Sequence, residues 1–172
     1  NRYNALARWG VEHPVILDEG KTWYPRMRAR LNDARQGVNV SLARVCGVAS
    51  HLSVMCPWQR VIRGASQMIR EYGARAAYPE VLETAKRSTL YSRNAEKATE
   101  LLFGNDQKFP AGPKTGPFHR NLLGETDPVT IDSHMQNVTE NFGLKSVTGN
   151  ARRAMQRGVR MCATLHGLQP SH

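Results

Sequence analysis

Apolar positions recur at helical spacing along most of the chain. In 21–35, Trp23, Met27 and Leu31 share one face, while Arg26, Arg28, Arg30 and Arg35 lie elsewhere. Gly37 ends that basic helix. Residues 1–20 before it read as a short helix and a turn-rich connection, punctuated by Pro14 and Gly20. Asn39 or Ser41 can cap the next helix, in which Leu42, Val45, Cys46, Ala49 and Leu52 make an apolar stripe. That stripe marks the helix as central. Residues 53–56 break the pattern, and Pro57 fits the first turn of another helix. There Trp58, Val61, Ile62, Ala65, Met68 and Ile69 form the stripe, with Arg60, Arg63 and Arg70 on other faces.

Residues 73–78 read as a loop, and Pro79 starts a short helix reaching about Lys86. Ser88 or Ser92 is placed to cap a helix over 93–103, which Gly104 stops. A Gly/Pro-punctuated turn carrying Lys114 and Thr115 leads into a helical run at 117–123. The chain turns at 124–127, then gives its only strand signal, Val129, Thr130 and Ile131. A helix from about Ser133 takes in Val138 and Phe142, and Gly143 and Gly149 mark turns. A last helix over 151–165 has Ala151, Ala154, Met155, Met161, Cys162 and Leu165 as its core face. Its flank of Arg152, Arg153, Arg157 and Arg160 is either a DNA contact or a solvated face. The pattern predicts an all-α protein without repeats. It predicts one helical domain over 1–172, with an N-terminal lobe at 1–36 and the helix 151–165 packing on a core at 39–145.

Charge changes the picture. Lys and Arg number 24 against 14 Asp and Glu, a formal charge of +10. Such an excess predicts attraction to a polyanion, most simply DNA. A hydrophobic fraction of 40% is enough to fill a core, which excludes a disordered chain. The three cysteines, Cys46, Cys56 and Cys162, are scattered and odd in number, so neither a disulfide framework nor a zinc site is expected. Free thiols fit a reducing compartment. No apolar run of about 18 residues is present, so no membrane span is expected, and no signal peptide is visible.

The candidate chemistry lies in 109–135, FPAGPKTGPFHRNLLGETDPVTIDSHM. A lysine on a hairpin, Lys114, and a carboxylate on the next buried segment, Asp132, can converge on one cleft. Three segments, in order, resemble the helix-hairpin-helix DNA glycosylase superfamily, the endonuclease III group. LSVMCPWQRVIRGA at 52–65 is similar to its LS-x-Q-polar turn and following helix. LYSRNAEKATELL at 90–102 is similar to its GLYNSKA-x-x-I helix start. GPKTGPFHRNLLGETDPVTIDSHM at 112–135 resembles G-R-K-T-A through A-V-D-T-H-V, and Lys114 and Asp132 stand at the family's spacing. The third segment also resembles phage-encoded relatives through Lys114, Phe118, Asn121, Leu122, Gly124 and 129–134.

The resemblance implies an all-α helix-hairpin-helix glycosylase-like domain that binds DNA and cleaves the N-glycosidic bond of a flipped nucleotide. It implies a bacterial or phage-infected cytoplasm. Breaking that bond builds positive charge on the sugar, which a carboxylate stabilises. Asp132 takes that role, and the neutral amine of Lys114 attacks C1′ to form a Schiff base. Met55 stands where the family often carries a polar wedge. Apolar side chains also insert between bases. Arg60 and Arg93 are candidate DNA contacts, and Gly112 and Thr115 belong to the hairpin that offers main-chain N–H groups to phosphate. The hairpin departs from L-P-G-x-G, because Pro110 falls on the first glycine and Pro113 follows Gly112. Each proline removes a donor. The four-cysteine motif is missing, so no iron–sulfur cluster, metal or other cofactor is expected. Other readings stay open. Asp132 also suits the cap of the helix from Ser133, His134 a core histidine, Arg93 and Lys97 a solvated face, and Trp58 the core. A transferase modifying phage thymine in place, or a non-catalytic DNA-binding or virion-associated module, would use the same scaffold.

Overall fold

The computed structural model describes residues 12, 14–131, 149–165 and 167–168. Seven helices occur among them: α1 (Pro14–Ala34), α2 (Leu42–Leu52), α3 (Trp58–Gly73), α4 (Tyr78–Ser88), α5 (Ser92–Leu102), α6 (Thr115–Leu123) and α7 (Gly149–Leu165). A 3₁₀ turn, Asp106–Lys108, interrupts the loop from α5 to α6. No strand occurs among the described residues, so the described chain is all-α. The predicted helix from Ser133, with Val138 and Phe142, lies outside the described residues. So do the side chains of Ala151, Arg152 and Cys162.

Helix α2 is the hub. It touches α1, α3, α5 and α6, and every residue from Val45 to Leu52 is buried. Val45, Val48, Ala49 and Leu52 meet Val61, Ala65, Met68 and Ile69 of α3, Ala95 and Ala98 of α5, and Phe118 and Leu122 of α6. Each large side chain removed from water in this way stabilises the fold by roughly 1.5–3 kcal/mol. Ser41 caps α2, its Oγ accepting from the Arg44 N–H at 3.2 Å. Helix α1 supplies Met27 and Leu31 to the same core. An aromatic knot of Trp23, Tyr24, Trp58 and Phe118 closes it, with Trp23 and Trp58 4.9 Å apart between centroids. The Trp58 indole N–H donates to the Met27 sulfur. Trp58 therefore belongs to the core and is no stacking platform.

Several boundaries differ from the pattern-based expectation. Helix α1 runs from Pro14 through Gly20, where a connection was expected. A glycine costs a helix only about 1 kcal/mol against alanine, and the packed Trp23–Met27–Leu31 stripe outweighs that. Neither Ser88 nor Ser92 caps α5. Tyr91 holds the cap position, and Ser88 closes α4 with its hydroxyl donating to the Thr84 carbonyl at 2.7 Å. Val129, Thr130 and Ile131 form no strand. Their surroundings are satisfied by side chains instead: Asn121 Nδ2 donates to the Pro128 carbonyl at 2.9 Å and Gln156 Nε2 to the Val129 carbonyl at 3.0 Å. Val129 and Ile131 then pack with Met155 and Val159 of α7 in a second small core.

Helices α3 and α4 approach closely because residue 64 has no side chain. A Cβ at Gly64 would overlap the Ser88 side chain. Gly64→Ala should therefore lower stability by about 1–3 kcal/mol in urea unfolding. Adding Ser88→Gly should recover part of the loss, because the two sites share one contact.

Candidate nucleic-acid interface

Helix directions gather the candidate residues. Helix α2 runs antiparallel to α5: Arg44 at its start pairs with Asp106 beyond the end of α5, at 2.6 Å. At the other end of α2, the positive charge of Lys97 on α5 reaches His51. The C-terminus of α4 meets the N-terminal half of α3, where Arg60 donates through Nε and Nη2 to the Arg87 carbonyl at 3.1 and 2.6 Å. One pole of the molecule thus carries the end of α2, the start of α3, the end of α4 and the start of α5.

The hairpin reaches this pole because the last turn of α2 holds it. The Ser50 hydroxyl donates to the Thr115 carbonyl at 2.8 Å, and His51 Nε2 bonds the Lys108 carbonyl at 2.7 Å. Lys114 Nζ donates to the Ser53 carbonyl at 3.5 Å, a long contact at the C-terminal end of α2, where the helix dipole favours a cation. Phe109 and the buried Pro110 sit over Gly47, and Phe109 also lies 5.6 Å from the His119 ring. Pro110 is thus a packing contact on α2. The Gly116 N–H donates to the Gly112 carbonyl at 2.8 Å and starts α6. A Cβ at Gly112 would come within 2.9 Å of Thr115 Oγ1, so the turn is tight there.

The same pole bears three exposed apolar side chains. Met55 is 56% exposed and adopts a left-handed backbone, φ 57°. That conformation costs a side-chain-bearing residue roughly 1–2 kcal/mol, and the packed ends of α2 and α3 sustain it. Leu90 and Tyr91, 60% and 48% exposed, project from the turn between α4 and α5. The sequence reading missed both as site residues. The available signal was two large apolar residues just ahead of a helix and off its stripe. Arg93 is exposed on the first turn of α5. Arg60, Arg87, Arg93, Lys97 and Lys114 supply cations here. Glu83 is paired with Lys86 at 2.7 Å. Arg60, expected as a DNA contact, spends its guanidinium on the end of α4 as well.

Asp132 and His134 lie outside the described residues. The chain approaches Asp132 from Ile131, which is buried against α7. Among the described residues no three His, Cys, Asp or Glu side chains gather to hold a metal ion. No helix among them is long and apolar enough to cross a membrane. The Cys46 thiol is pushed up to about 12 by burial and is an inert core group.

A family model matches residues 3–170. The chain belongs to DUF7178, a family of unknown function. No curated protein and no solved structure matches it. Every residue of the pole described above falls inside the DUF7178 match.

Two buried histidines brace the hairpin, and both give it an acid sensitivity. Burial lowers the His51 pKa below 6.5 despite its bond to the Lys108 carbonyl, and burial lowers that of His119 despite its bond to the Ala43 carbonyl. A histidine depressed in the fold binds its proton more readily when unfolded. Its stabilising contribution is complete above the unfolded value of 6.5 and is lost as pH falls below that toward the folded value. Urea midpoints should drop between about pH 7.5 and about pH 5.5, and His51→Gln should flatten that drop. An unchanged slope in the variant would remove His51 from the account.

Proposed function

We propose that this chain is a divergent helix-hairpin-helix DNA glycosylase-like enzyme that binds DNA at the Met55–Lys114 pole and cleaves the N-glycosidic bond of an extruded nucleotide. The observation that carries the proposal is the placement of Lys114. Its amine lies against the Ser53 carbonyl, two residues before the left-handed, exposed Met55. An amine at a helix start, an apolar tip and a belt of arginines therefore share one pole.

Each part has a physical task in this reading. The arginines and Lys97 neutralise phosphates, and Arg93 is the most accessible of them on α5. Met55, Leu90 and Tyr91 fill the space a displaced base leaves, since apolar wedges offset lost stacking. Lys114 in its neutral form attacks C1′; the C1′–N bond breaks and its electron pair leaves with the base, which takes up a proton. Asp132 stabilises the charge that develops on the sugar. The hairpin contributes few N–H donors, because Pro110 and Pro113 have none, so the phosphate grip rests more on side chains.

Borohydride reduction in the presence of duplex DNA with an abasic site should trap a covalent adduct. Lys114→Ala should abolish it, and Asp132→Asn should abolish base release from damaged duplexes while leaving DNA binding intact. Absence of both adduct and base release from the unaltered protein would sink the enzyme reading. Mass spectrometry of the nucleosides would then show whether a base is modified in place instead. Arg93→Ala should weaken binding evenly across sequences and lower the salt slope by about one.

A further inference from the structure

A second concave site lies away from the pole. Helix α1 and the far end of α6 enclose a groove of about 500 Å³. That is within the usual range of small-molecule sites, about 300–1,000 Å³. Helix α1 makes this possible by presenting two faces. Trp23, Met27 and Leu31 pack inward, while Lys21, Tyr24, Pro25, Arg28 and Asn32 line the groove. The facing wall is the turn Gly124, Glu125 and Thr126.

That wall is preformed. The Asn121 amide donates to the Glu125 and Pro128 carbonyls at 3.0 and 2.9 Å and accepts from the Thr130 hydroxyl at 2.9 Å. Gly124 has φ 100°, and a Cβ there would come within 2.7 Å of Arg28 Nη1. The missing side chain lets the Arg28 guanidinium lie across the end of α6. Glu125 on that wall is engaged with Arg120 at 3.6 Å, and Arg28 brings a guanidinium to the groove. Leu42, Tyr24 and Pro25 give it an apolar lining, with Tyr24 held edge-on by Trp23 at 4.9 Å.

We infer that this groove binds a small organic anion with a flat ring, of nucleoside monophosphate size. The ring lies against Tyr24, Pro25 and Leu42, and the phosphate lies at Arg28. A planar guanidinium suits a phosphate because it offers two parallel donors. Occupancy here is independent of DNA binding at the Met55–Lys114 pole.

Titration calorimetry on the full chain tests this with thymidine 5′-monophosphate, adenosine 5′-monophosphate, thymidine and inorganic phosphate. Both nucleotides should bind, each at least about tenfold more tightly than thymidine or phosphate, the worth of a charged hydrogen-bonded contact. Arg28→Met should weaken nucleotide binding by about tenfold. Ala29→Trp, at an exposed position in the groove wall, should abolish it by filling the space. Circular dichroism would verify that both variants fold. The inference is overturned by no nucleotide binding, by phosphate binding as tightly as the nucleotides, or by binding that survives both substitutions. Binding lost with Lys114→Ala and retained with Ala29→Trp would overturn it too, placing the nucleotide at the other pole.

Discussion

The last turn of α2 is the contact on which the rest of the molecule depends. A helix end leaves backbone carbonyls without partners, and burial makes those expensive to leave bare. Here the Ser53 carbonyl becomes an attachment point, and the Ser50 and His51 side chains add two more by bonding carbonyls of the loop. The Ser50 hydroxyl and the His51 ring hold the loop at Thr115 and Lys108, and the Ser53 carbonyl receives the Lys114 amine. The Ser50 and His51 bonds are worth about 1 kcal/mol net each, but each would cost more if broken, because a buried polar group would be stranded. Gly47 completes the arrangement by admitting Leu101 of α5, and Pro110 beside it, to the helix backbone. The hairpin is thus pinned to the central core helix along its length.

This explains why a loop with two prolines can still present a lysine at a defined place. A hairpin built on glycines would hold its shape through its own N–H groups. This one takes its shape from the core beneath it. The position of Lys114 follows from α2, whose burial follows from contacts with four other helices. A change in the core would therefore move the amine before it touched any surface charge.

Net charge favours association with anions in general and does not say where on the surface. The fold distributes the cations unequally among tasks. Arg60 ties α3 to α4, Arg44 pairs with Asp106, and Arg28 crosses the end of α6. The Arg44–Asp106 ion pair, with Asp106 exposed, stabilises little, commonly below about 1 kcal/mol. Arg93 and Lys97 lie on α5, just after the exposed Leu90 and Tyr91. Met55 combines a costly left-handed backbone with a side chain 56% exposed.

The all-α class, the central place of α2 and the stripes of α2 and α3 were legible in the sequence, because helical periodicity is a local property that each segment carries by itself. The stop at Gly104 and the turn at Gly124 were legible for the same reason, both residues having positive φ. Other features depended on neighbours distant in the chain. Ser88 lies beneath Gly64 and closes α4, so it was unavailable to cap α5. Val129 and Ile131 found side-chain partners and a second core on α7, where a propensity-based reading expected a strand. The exposure of Leu90 and Tyr91, the task of Arg60 and the groove beside Arg28 were decided only when helices packed. Sequence determines which face of each helix is apolar; which side chains are left over, and what they then face, is settled by the crossing of helices whose contacts span dozens of residues.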